Sequence, residues 1–260
     1  MAQNSKIEWT HHTANLWHGC TKVHEGCDNC YAEALAKRWG NDIWGNDKPR
    51  KEIKSVWNEL FKMQKLAKQA GEMHRVFVGS MMDVFEKTMP LLGNNGYPET
   101  GDLRRRLFIQ IDEGLYPNLM FLFLTKRPSN INKYIPENWK EKPPSNVMFG
   151  TSPVNQETAN KLIPQLLEVK GKRFLSIEPQ LDSVNIQGFL FDGGIDWVIQ
   201  GGESGRNKRP FNLDWAYYLK QQCEQTGVPY FFKQIDKIQQ IPSDLQVRNF
   251  PTEDVGSAFC

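Results

Sequence analysis

Short apolar runs alternate with amphipathic and polar segments along most of the chain. Seven runs rich in β-branched and aromatic residues predict strands at residues 14–17, 75–79, 118–124, 146–150, 173–177, 196–200 and 229–232. Uninterrupted apolar runs of this length are typical of strands buried on both faces, as in a parallel sheet covered by helices. Helical periodicity between the runs predicts helices at residues 30–39, 51–69, 102–113, 156–167 and 213–225.

Residues that favour helix ends support these boundaries. Residues suited to N-caps and to C-terminal turns lie at Asp102, Asn155, Asn212, Gly171 and Gly227. Because strands and helices alternate repeatedly, the sequence predicts right-handed βαβ units and an α/β fold. We expect a parallel, partial or near-complete TIM-type βα barrel. It forms one domain over residues 1–260, with residues 235–260 as a C-terminal capping tail.

Composition narrows the class of protein. The chain has 260 residues, of which 39% are hydrophobic and 24% are charged, a length that suits a single α/β barrel. Its longest clean apolar stretch, residues 119–124, is far shorter than the ~20 residues that span a bilayer. The N-terminus does not lead into the apolar segment of a signal peptide. We therefore expect a cytoplasmic protein with no membrane partner.

Nearly every predicted strand ends in a cluster of polar residues. The clusters lie at residues 18–20, 80–83, 125–127, 151–152, 176–178 and 201–205. The carboxyl ends of parallel strands form the active face of α/β barrel enzymes. A series of clusters with unlike functional groups therefore favours an enzyme site over ordinary polar loops.

The positions of the five cysteines are informative. Cys20, Cys27 and Cys30 follow one another as C-x6-C-x2-C, whereas Cys223 and Cys260 stand alone. An odd number of cysteines without a secretion signal favours metal or redox chemistry over a disulfide framework. Three thiolates suit a [4Fe–4S] cluster with one open iron. Zinc, with His18 or His24 as fourth ligand, and three metal-free thiols remain alternatives.

The three-cysteine loop and several strand ends carry a family resemblance. A three-cysteine loop after the first strand of a βα barrel resembles the radical S-adenosylmethionine (SAM) superfamily, whose usual spacing is C-x3-C-x2-C. From about residue 17 to 234 the chain is similar to the phage Gp37/Gp68-type family of radical-SAM-like proteins. The segments that carry this similarity are residues 26–32 (GCDNCYA), 80–85 (SMMDVF), 124–128 (LTKRP), 174–179 (FLSIEP), 197–205 (WVIQGGESG) and 228–234 (VPYFFKQ).

The resemblance implies a cofactor and a reaction class. It implies a [4Fe–4S] cluster on Cys20, Cys27 and Cys30, with SAM bound to the fourth iron through its amino and carboxylate groups. One-electron transfer would then cleave SAM to methionine and a 5′-deoxyadenosyl radical, which abstracts hydrogen from a substrate. The electron would come from a reductant such as flavodoxin or ferredoxin.

The resemblance also implies roles for residues after the strands. Ser80, Met82 and Asp83 occupy the place of the superfamily's amino-group-binding motif. Thr151 or Ser152 would contact the ribose or the carboxylate of SAM.

The resemblance also implies roles for the residues beside the last cysteine and for the charged residues after the third strand. Asn29 and Tyr31 flank the last cysteine, near the expected adenine. Lys126 or Arg127 would pair with the carboxylate of SAM. Glu178 is interpreted either as a polar group at the radical site or as the partner of Arg127.

The strand-end glycines and the basic clusters bear on the substrate. Gly201-Gly202-Glu203 has the same residues as the superfamily's amino-group-binding GGE motif, but it follows the sixth predicted strand and not the second. It is therefore not assigned that role, and Glu203 is instead a candidate catalytic residue. Basic clusters at residues 48–51, 104–106 and 206–209 lie in a chain of net charge +2. They allow a nucleic-acid substrate, DNA in preference to RNA, with base modification or lesion repair as the reaction. Radical chemistry on a protein or small metabolite, and a non-catalytic zinc-stabilised nucleic-acid-binding module, are the alternatives.

Overall fold

The computed structural model describes residues 2–3, 5–93, 96, 98–191 and 193–251, which form a mixed α/β fold. The strands are β1 Ala2–Gln3, β2 His12–Ala14, β3 Trp17–His18, β4 Lys51–Glu52, β5 His74–Val78, β6 Leu119–Thr125, β7 Val147–Thr151, β8 Lys172–Ile177, β9 Trp197–Gly201 and β10 Tyr230–Gln234. The helices are α1 Tyr31–Arg38, α2 Val56–Ala70, α3 Thr100–Asp112, α4 Ile131–Tyr134, α5 Glu137–Glu141, α6 Gln156–Leu167, α7 Gln187–Phe191 and α8 Leu213–Thr226.

Seven parallel strands curl into a half-barrel. The sheet order is β1-β2-β5-β6-β7-β8-β9-β10, and only β1 runs antiparallel to its neighbour. Consecutive strands pair side by side, so each intervening helix covers the sheet as in a βαβ unit. The predicted partial barrel is therefore confirmed at the level of the fold.

The first predicted strand is the main error in the strand assignment. The strand that joins the sheet is β2, whereas residues 17–18 turn away and pair with β4. This pairing also explains why α2 begins at Val56 rather than at residue 51. The six later strands lie where their apolar runs predict them, to within one residue at every end except that of β10, which lies two residues later.

The helix caps follow the sequence in part. Asn155 and Asn212 accept hydrogen bonds from the backbone N–H groups of Thr158 and Asp214, and Gly227 ends α8 in the left-handed conformation, as predicted. Asp102 is not an N-cap, because α3 begins one turn earlier behind Glu99. Gly171 is not a helix end either, since α6 ends at Leu167.

Two apolar layers lie on the two faces of the sheet. Alternate side chains point outward, and residues such as Phe121 and Phe123 pack beneath the helices. Their neighbours Met120 and Leu122 point into the concave face and pack with Trp9, among others. Because both faces are covered by apolar side chains, the strands read as continuous apolar runs in the sequence.

The concave face is closed at the amino ends of the strands by aromatic residues. Trp9 lies 4.7 Å from Phe77 and 6.2 Å from Trp197, measured between ring centroids. Phe250, from the described part of the predicted capping tail, packs on Trp197 and Phe231. Cys260 and the last residues of that tail lie outside the described residues. The interior therefore opens toward the carboxyl ends of the strands.

Three histidines lie at the amino edge of the sheet, away from the carboxyl ends of the strands. His12 Nε2 and His74 Nδ1 are 3.0 Å apart, and His11 stacks on His74 at 4.7 Å between ring centroids. Burial, followed by neighbouring charges, lowers the pKa of His11 and of His12 to about 4. These residues stabilise the sheet edge in their neutral form.

A buried ion pair joins the β4 region to the loop after β5. Arg50 Nε donates to Glu86 Oε1 at 2.7 Å and Nη2 donates to Glu86 Oε2 at 2.8 Å. The Arg50 side chain is 0% exposed and that of Glu86 is 2% exposed. Arg50 Nη1 also donates to three backbone carbonyls, at Ile43, Gly45 and Lys48. Its charge is therefore fully used within the fold.

Among the described residues, no helix combines the length and the apolar character that crossing a membrane requires.

We predict that Glu86→Ala lowers the free energy of unfolding by about 3–5 kcal/mol, because it leaves the Arg50 guanidinium buried without its carboxylate. Urea denaturation followed by circular dichroism measures the change. Glu137→Ala is the control, because it removes the exposed carboxylate that pairs with Lys140 and costs about 1 kcal/mol or less. Equal costs for the two variants would contradict this role of Arg50.

We predict that stability falls as the pH is lowered from about 6.5 toward 4. The pKa of His11 and of His12 is about 4 in the folded protein, below the ordinary histidine value of about 6.5, so the unfolded chain binds more protons in this window. Urea midpoints measured at several pH values test this. In His11→Gln/His12→Gln the decline should be shallower. The same slope in the variant and the wild-type protein would show that these histidines do not cause it.

Candidate metal centre

The carboxyl ends of the strands open into a cavity of about 260 Å³. It is lined by thirteen of the fourteen candidate site residues, namely Cys20, Cys27, Asn29, Cys30, Tyr31, Ser80, Met82, Asp83, Lys126, Arg127, Ser152, Glu178 and Glu203. Trp9 and Phe77 form part of its apolar wall. The convergence follows from the fold, since the carboxyl ends of parallel strands meet at one edge of the sheet.

Thr151 is the candidate that does not line the cavity. It is fully buried in β7, and its Oγ1 donates to the backbone carbonyl of Thr125 at 2.9 Å. Its hydroxyl joins two strands, so the expected cofactor contact at this strand end is left to Ser152, which lines the cavity.

The cysteine loop, residues 19–30, has a shape that depends on Gly19. Gly19 has φ +115°, and a Cβ there would lie 2.4 Å from the Ile43 carbonyl oxygen and 2.7 Å from Arg50 Cδ. Only glycine fits this close approach. A 3-10 turn, Glu25–Cys27, follows with His24 as its N-cap, and Cys30 is the N-cap residue of α1. The loop thereby presents all three cysteines to one cavity.

The environment of Cys20 combines burial with a nearby cation. Burial, and to a smaller extent Asp83 and Glu86, raise the pKa of the Cys20 thiol to about 12. Arg127 Nη1 lies 3.9 Å from Cys20 Sγ and acts in the opposite direction. A bound metal ion would add the positive charge that a thiolate needs at this buried position.

Arg127 connects the end of β6 to the cysteine loop. Its Nη1 donates to Asp83 Oδ2 at 2.7 Å, and its Nη2 donates to the backbone carbonyl of Thr21 at 2.6 Å. Burial opposes the charged form of Arg127, but the attraction of Asp83, Cys20 and Glu86 together outweighs it and raises the pKa of Arg127. Arg127 therefore holds the loop, and both of its Nη groups are engaged with the protein.

Asp83 has little capacity left for a ligand. Oδ1 accepts from Thr125 Oγ1 at 2.7 Å and from the Phe85 N–H at 3.0 Å. Oδ2 accepts from Arg127 and from the Lys126 N–H at 3.2 Å. These four bonds use the roughly four acceptor positions of a carboxylate. Asp83 is thus placed beside the cavity as the anchor of Arg127.

Glu203 and Arg209 form a second connection to the cysteine loop. Arg209 donates to Glu203 Oε1 through Nη2 at 2.7 Å and to Oε2 through its backbone N–H at 2.8 Å. Asn29 Nδ2 also donates to Glu203 Oε2 at 2.8 Å, and Arg209 Nη2 donates to the Glu25 carbonyl at 3.1 Å. These hydrogen bonds lower the pKa of Glu203 despite its burial. Both Glu203 and Asn29 are occupied in fixing the loop.

Glu178 does not pair with Arg127, as one interpretation of the sequence expects. Its carboxylate forms an ion pair with Lys233 Nζ, near the end of β10. The carboxylate that pairs with Arg127 is that of Asp83. Both Glu178 and Lys233 line the cavity. Sequence reasoning missed Lys233 as a site residue. Polar residues at strand ends are expected to line the site, and Lys233 is one of them.

The hydroxyl groups at the β5 end also bond within the chain. Tyr31 Oη donates to the Ser80 carbonyl at 2.7 Å, and Ser80 Oγ accepts from Asn15 Nδ2 at 2.8 Å. Lys126 differs, because its ammonium group has no carboxylate partner among the described residues although it lines the cavity. Of the two neighbouring cations, Arg127 pairs with Asp83, whereas Lys126 has no carboxylate partner within the described part of the chain.

Most cations of the predicted basic clusters form ion pairs or hydrogen bonds within the protein. Arg50 is buried against Glu86, and Arg104 donates to the Val84 carbonyl at 2.9 Å. In the third cluster Arg209 pairs with Glu203 and Lys208 pairs with Asp236. Arg50, Arg104 and Arg209 therefore already have partners within the protein.

The donor set of the cysteine loop fits an iron–sulfur cluster chemically. Three cysteine sulfurs line one cavity, and cysteine thiolates are the usual ligands of such clusters. Among the described residues, no three His, Cys, Asp or Glu side chains are arranged to hold one metal ion. The thiolates of a [4Fe–4S] cluster bind different irons, so they need only surround a shared volume.

The comparisons with known proteins concern the family. A search of curated proteins and a search of solved structures each found no match. The model of the family described as "Protein of unknown function (DUF5131)" matches residues 4–249, nearly the whole chain. The chain therefore belongs to the DUF5131 family.

Proposed function

We propose that the protein is a radical SAM enzyme that holds a [4Fe–4S] cluster on Cys20, Cys27 and Cys30. The observation that carries this proposal is the position of the three cysteines. They line one cavity with unlike polar groups at the carboxyl edge of a parallel half-barrel. With SAM bound, such a cluster supplies the electron that cleaves SAM to methionine and a 5′-deoxyadenosyl radical, which abstracts hydrogen from the substrate.

The protein contributes orientation and a protected interior. The Arg127–Asp83 and Arg209–Glu203 pairs fix the cysteine loop at two points, near its start at Thr21 and in its middle at Glu25. Apolar side chains, including Trp9, Phe77 and Met81, form much of the cavity wall. A wall of this kind excludes water from a reactive intermediate.

Lys126 and Ser152 are the proposed contacts for the methionine part of SAM. Lys126 lines the cavity and has no carboxylate partner among the described residues, so its ammonium group is available to a ligand carboxylate. Ser152 is buried at the cavity wall and offers a hydroxyl group. Arg127, Asp83 and Glu203 act as positioning residues.

The outer side of the cysteine loop offers a docking surface for an electron donor. Cys30 lines the cavity and also a groove of about 520 Å³ on the surface. Lys37, Arg38 and Arg206 lie along this groove, together with Asp28 and Glu33. Lys37 pairs with Glu33, whereas Arg38 and Arg206 have no carboxylate partner among the described residues. We propose that an acidic carrier of the flavodoxin or ferredoxin type delivers the electron here.

We predict that anaerobic reconstitution yields about four irons and four sulfides per chain. Cys20→Ala, Cys27→Ala and Cys30→Ala should each lose most of this iron, because each removes one ligand. Cys223→Ala is the control, since Cys223 is buried in α8 and outside the cavity. Iron and sulfide analysis with electron paramagnetic resonance gives the readout. Stoichiometric zinc without iron, or cysteine variants that retain the full cluster, would contradict the proposal.

We predict that Arg127→Lys lowers the midpoint potential of the cluster by on the order of tens of millivolts. The substitution keeps the positive charge for Asp83 but removes the donor next to Cys20 Sγ. A donor near the sulfur favours the reduced, more negative state. A redox titration measures the shift, and Arg105→Lys on the exposed face of α3 is the control. An unchanged potential in Arg127→Lys at full iron content would refute this role.

A further inference from the structure

A second cleft adjoins the cavity on the side of the C-terminal segment. This cleft has a volume of about 660 Å³. It shares Ile7, Lys233 and Lys237 with the cavity wall, so the two spaces meet at these residues. A ligand that lies in the cleft can thus extend one end toward the cysteine loop.

Positive charge dominates the cleft. Four cations and one carboxylate line it, namely Lys6, Lys233, Lys237, Arg248 and Glu8. Lys233 pairs with Glu178, and Arg248 pairs with Glu8. Within the described part of the chain, Lys6 and Lys237 have no carboxylate partner. Two exposed ammonium groups therefore remain available to an anion from outside the protein.

The backbone around Lys237 is built to hold this residue in place. Lys237 has φ 70°, the only positive φ of a non-glycine residue among those the structure describes. Asp236 Oδ1 accepts from the N–H groups of Ile238 and Gln239 at 2.9 and 2.7 Å, and Asp236 Oδ2 pairs with Lys208 at 3.1 Å. A non-glycine residue keeps this conformation only where its surroundings enforce it, and such positions cluster at functional sites.

We propose that the cleft binds the phosphate of a substrate nucleotide, with Lys6 and Lys237 as its contacts, while the attached base reaches the cavity past Ile7. This inference rests on the proposed function for the reaction, but the binding itself does not require the cluster. Lysine ammonium groups bind phosphate as point charges with several donors.

The position of the cavity favours a single strand. The cavity lies at the carboxyl ends of the strands, behind residues such as Ile7, so a base must leave its stack to enter it. Unstacking is least costly for a base that is already single-stranded. The larger cleft, with exposed lysines, suits the backbone of such a strand.

Fluorescence anisotropy with a labelled 12-nucleotide single-stranded DNA tests the proposal on the full chain, with RNA and duplex DNA of the same sequence alongside. Lys6→Gln/Lys237→Gln should weaken binding by about five-fold or more and reduce the slope of log K against log salt by about two. Lys65→Gln, an exposed lysine on α2, should leave both unchanged. Unlabelled 5′-mononucleotide as competitor distinguishes a free nucleotide from a polymer as the source of the phosphate.

The outcomes separate this inference from the proposed function. Equal affinities for the wild-type protein and Lys6→Gln/Lys237→Gln, or duplex DNA bound as tightly as the single strand, would overturn the cleft assignment whatever the iron content. Loss of binding in that variant, measured equally on cluster-free and reconstituted protein, would support the cleft. It would do so even if no cluster chemistry were found.

Discussion

Three arginine–carboxylate pairs hold the cysteine loop against the edge of the sheet, and the candidate site depends on them. Arg50 is paired with Glu86 and donates to the Thr21 hydroxyl at 2.9 Å. Arg127 and Arg209, paired with Asp83 and Glu203, donate to the backbone carbonyls of Thr21 and Glu25. A glycine-containing loop has no regular hydrogen-bond ladder of its own. The arginines supply that order from three separate segments of the chain.

This arrangement separates the cations around the cysteine loop from those that face the open spaces. The guanidinium groups of Arg50, Arg127 and Arg209, a planar group suited to bidentate binding of carboxylates, are used inside the fold. Lysines, whose ammonium groups are flexible point charges, line the cavity and the cleft, and among these Lys126 and Lys237 have no carboxylate partner among the described residues. Although the net charge of the chain is only +2, some of its cations thus remain available for an anionic cofactor or substrate.

The sequence predicts the sheet and the location of the site better than the role of each side chain. Strands buried on both faces are visible as apolar runs, and polar residues after them meet at one edge by the geometry of parallel strands. The pairing of Asp83 rather than Glu178 with Arg127 depends on packing between distant segments, which no local pattern encodes. The same holds for Arg50, whose partner Glu86 is 36 residues away. Thr151 shows the limit of predicting site residues from the ends of strands. Its hydroxyl bonds within the sheet, whereas the next residue, Ser152, lines the cavity.

We propose that this cavity performs radical SAM chemistry. Its most direct test is the formation of 5′-deoxyadenosine when reconstituted protein is reduced in the presence of SAM, with single-stranded DNA or RNA supplied as substrate. The proposal predicts 5′-deoxyadenosine that depends on reductant, and none from Cys27→Ala. A fully loaded, reduced cluster that leaves SAM intact with both nucleic acids would contradict it.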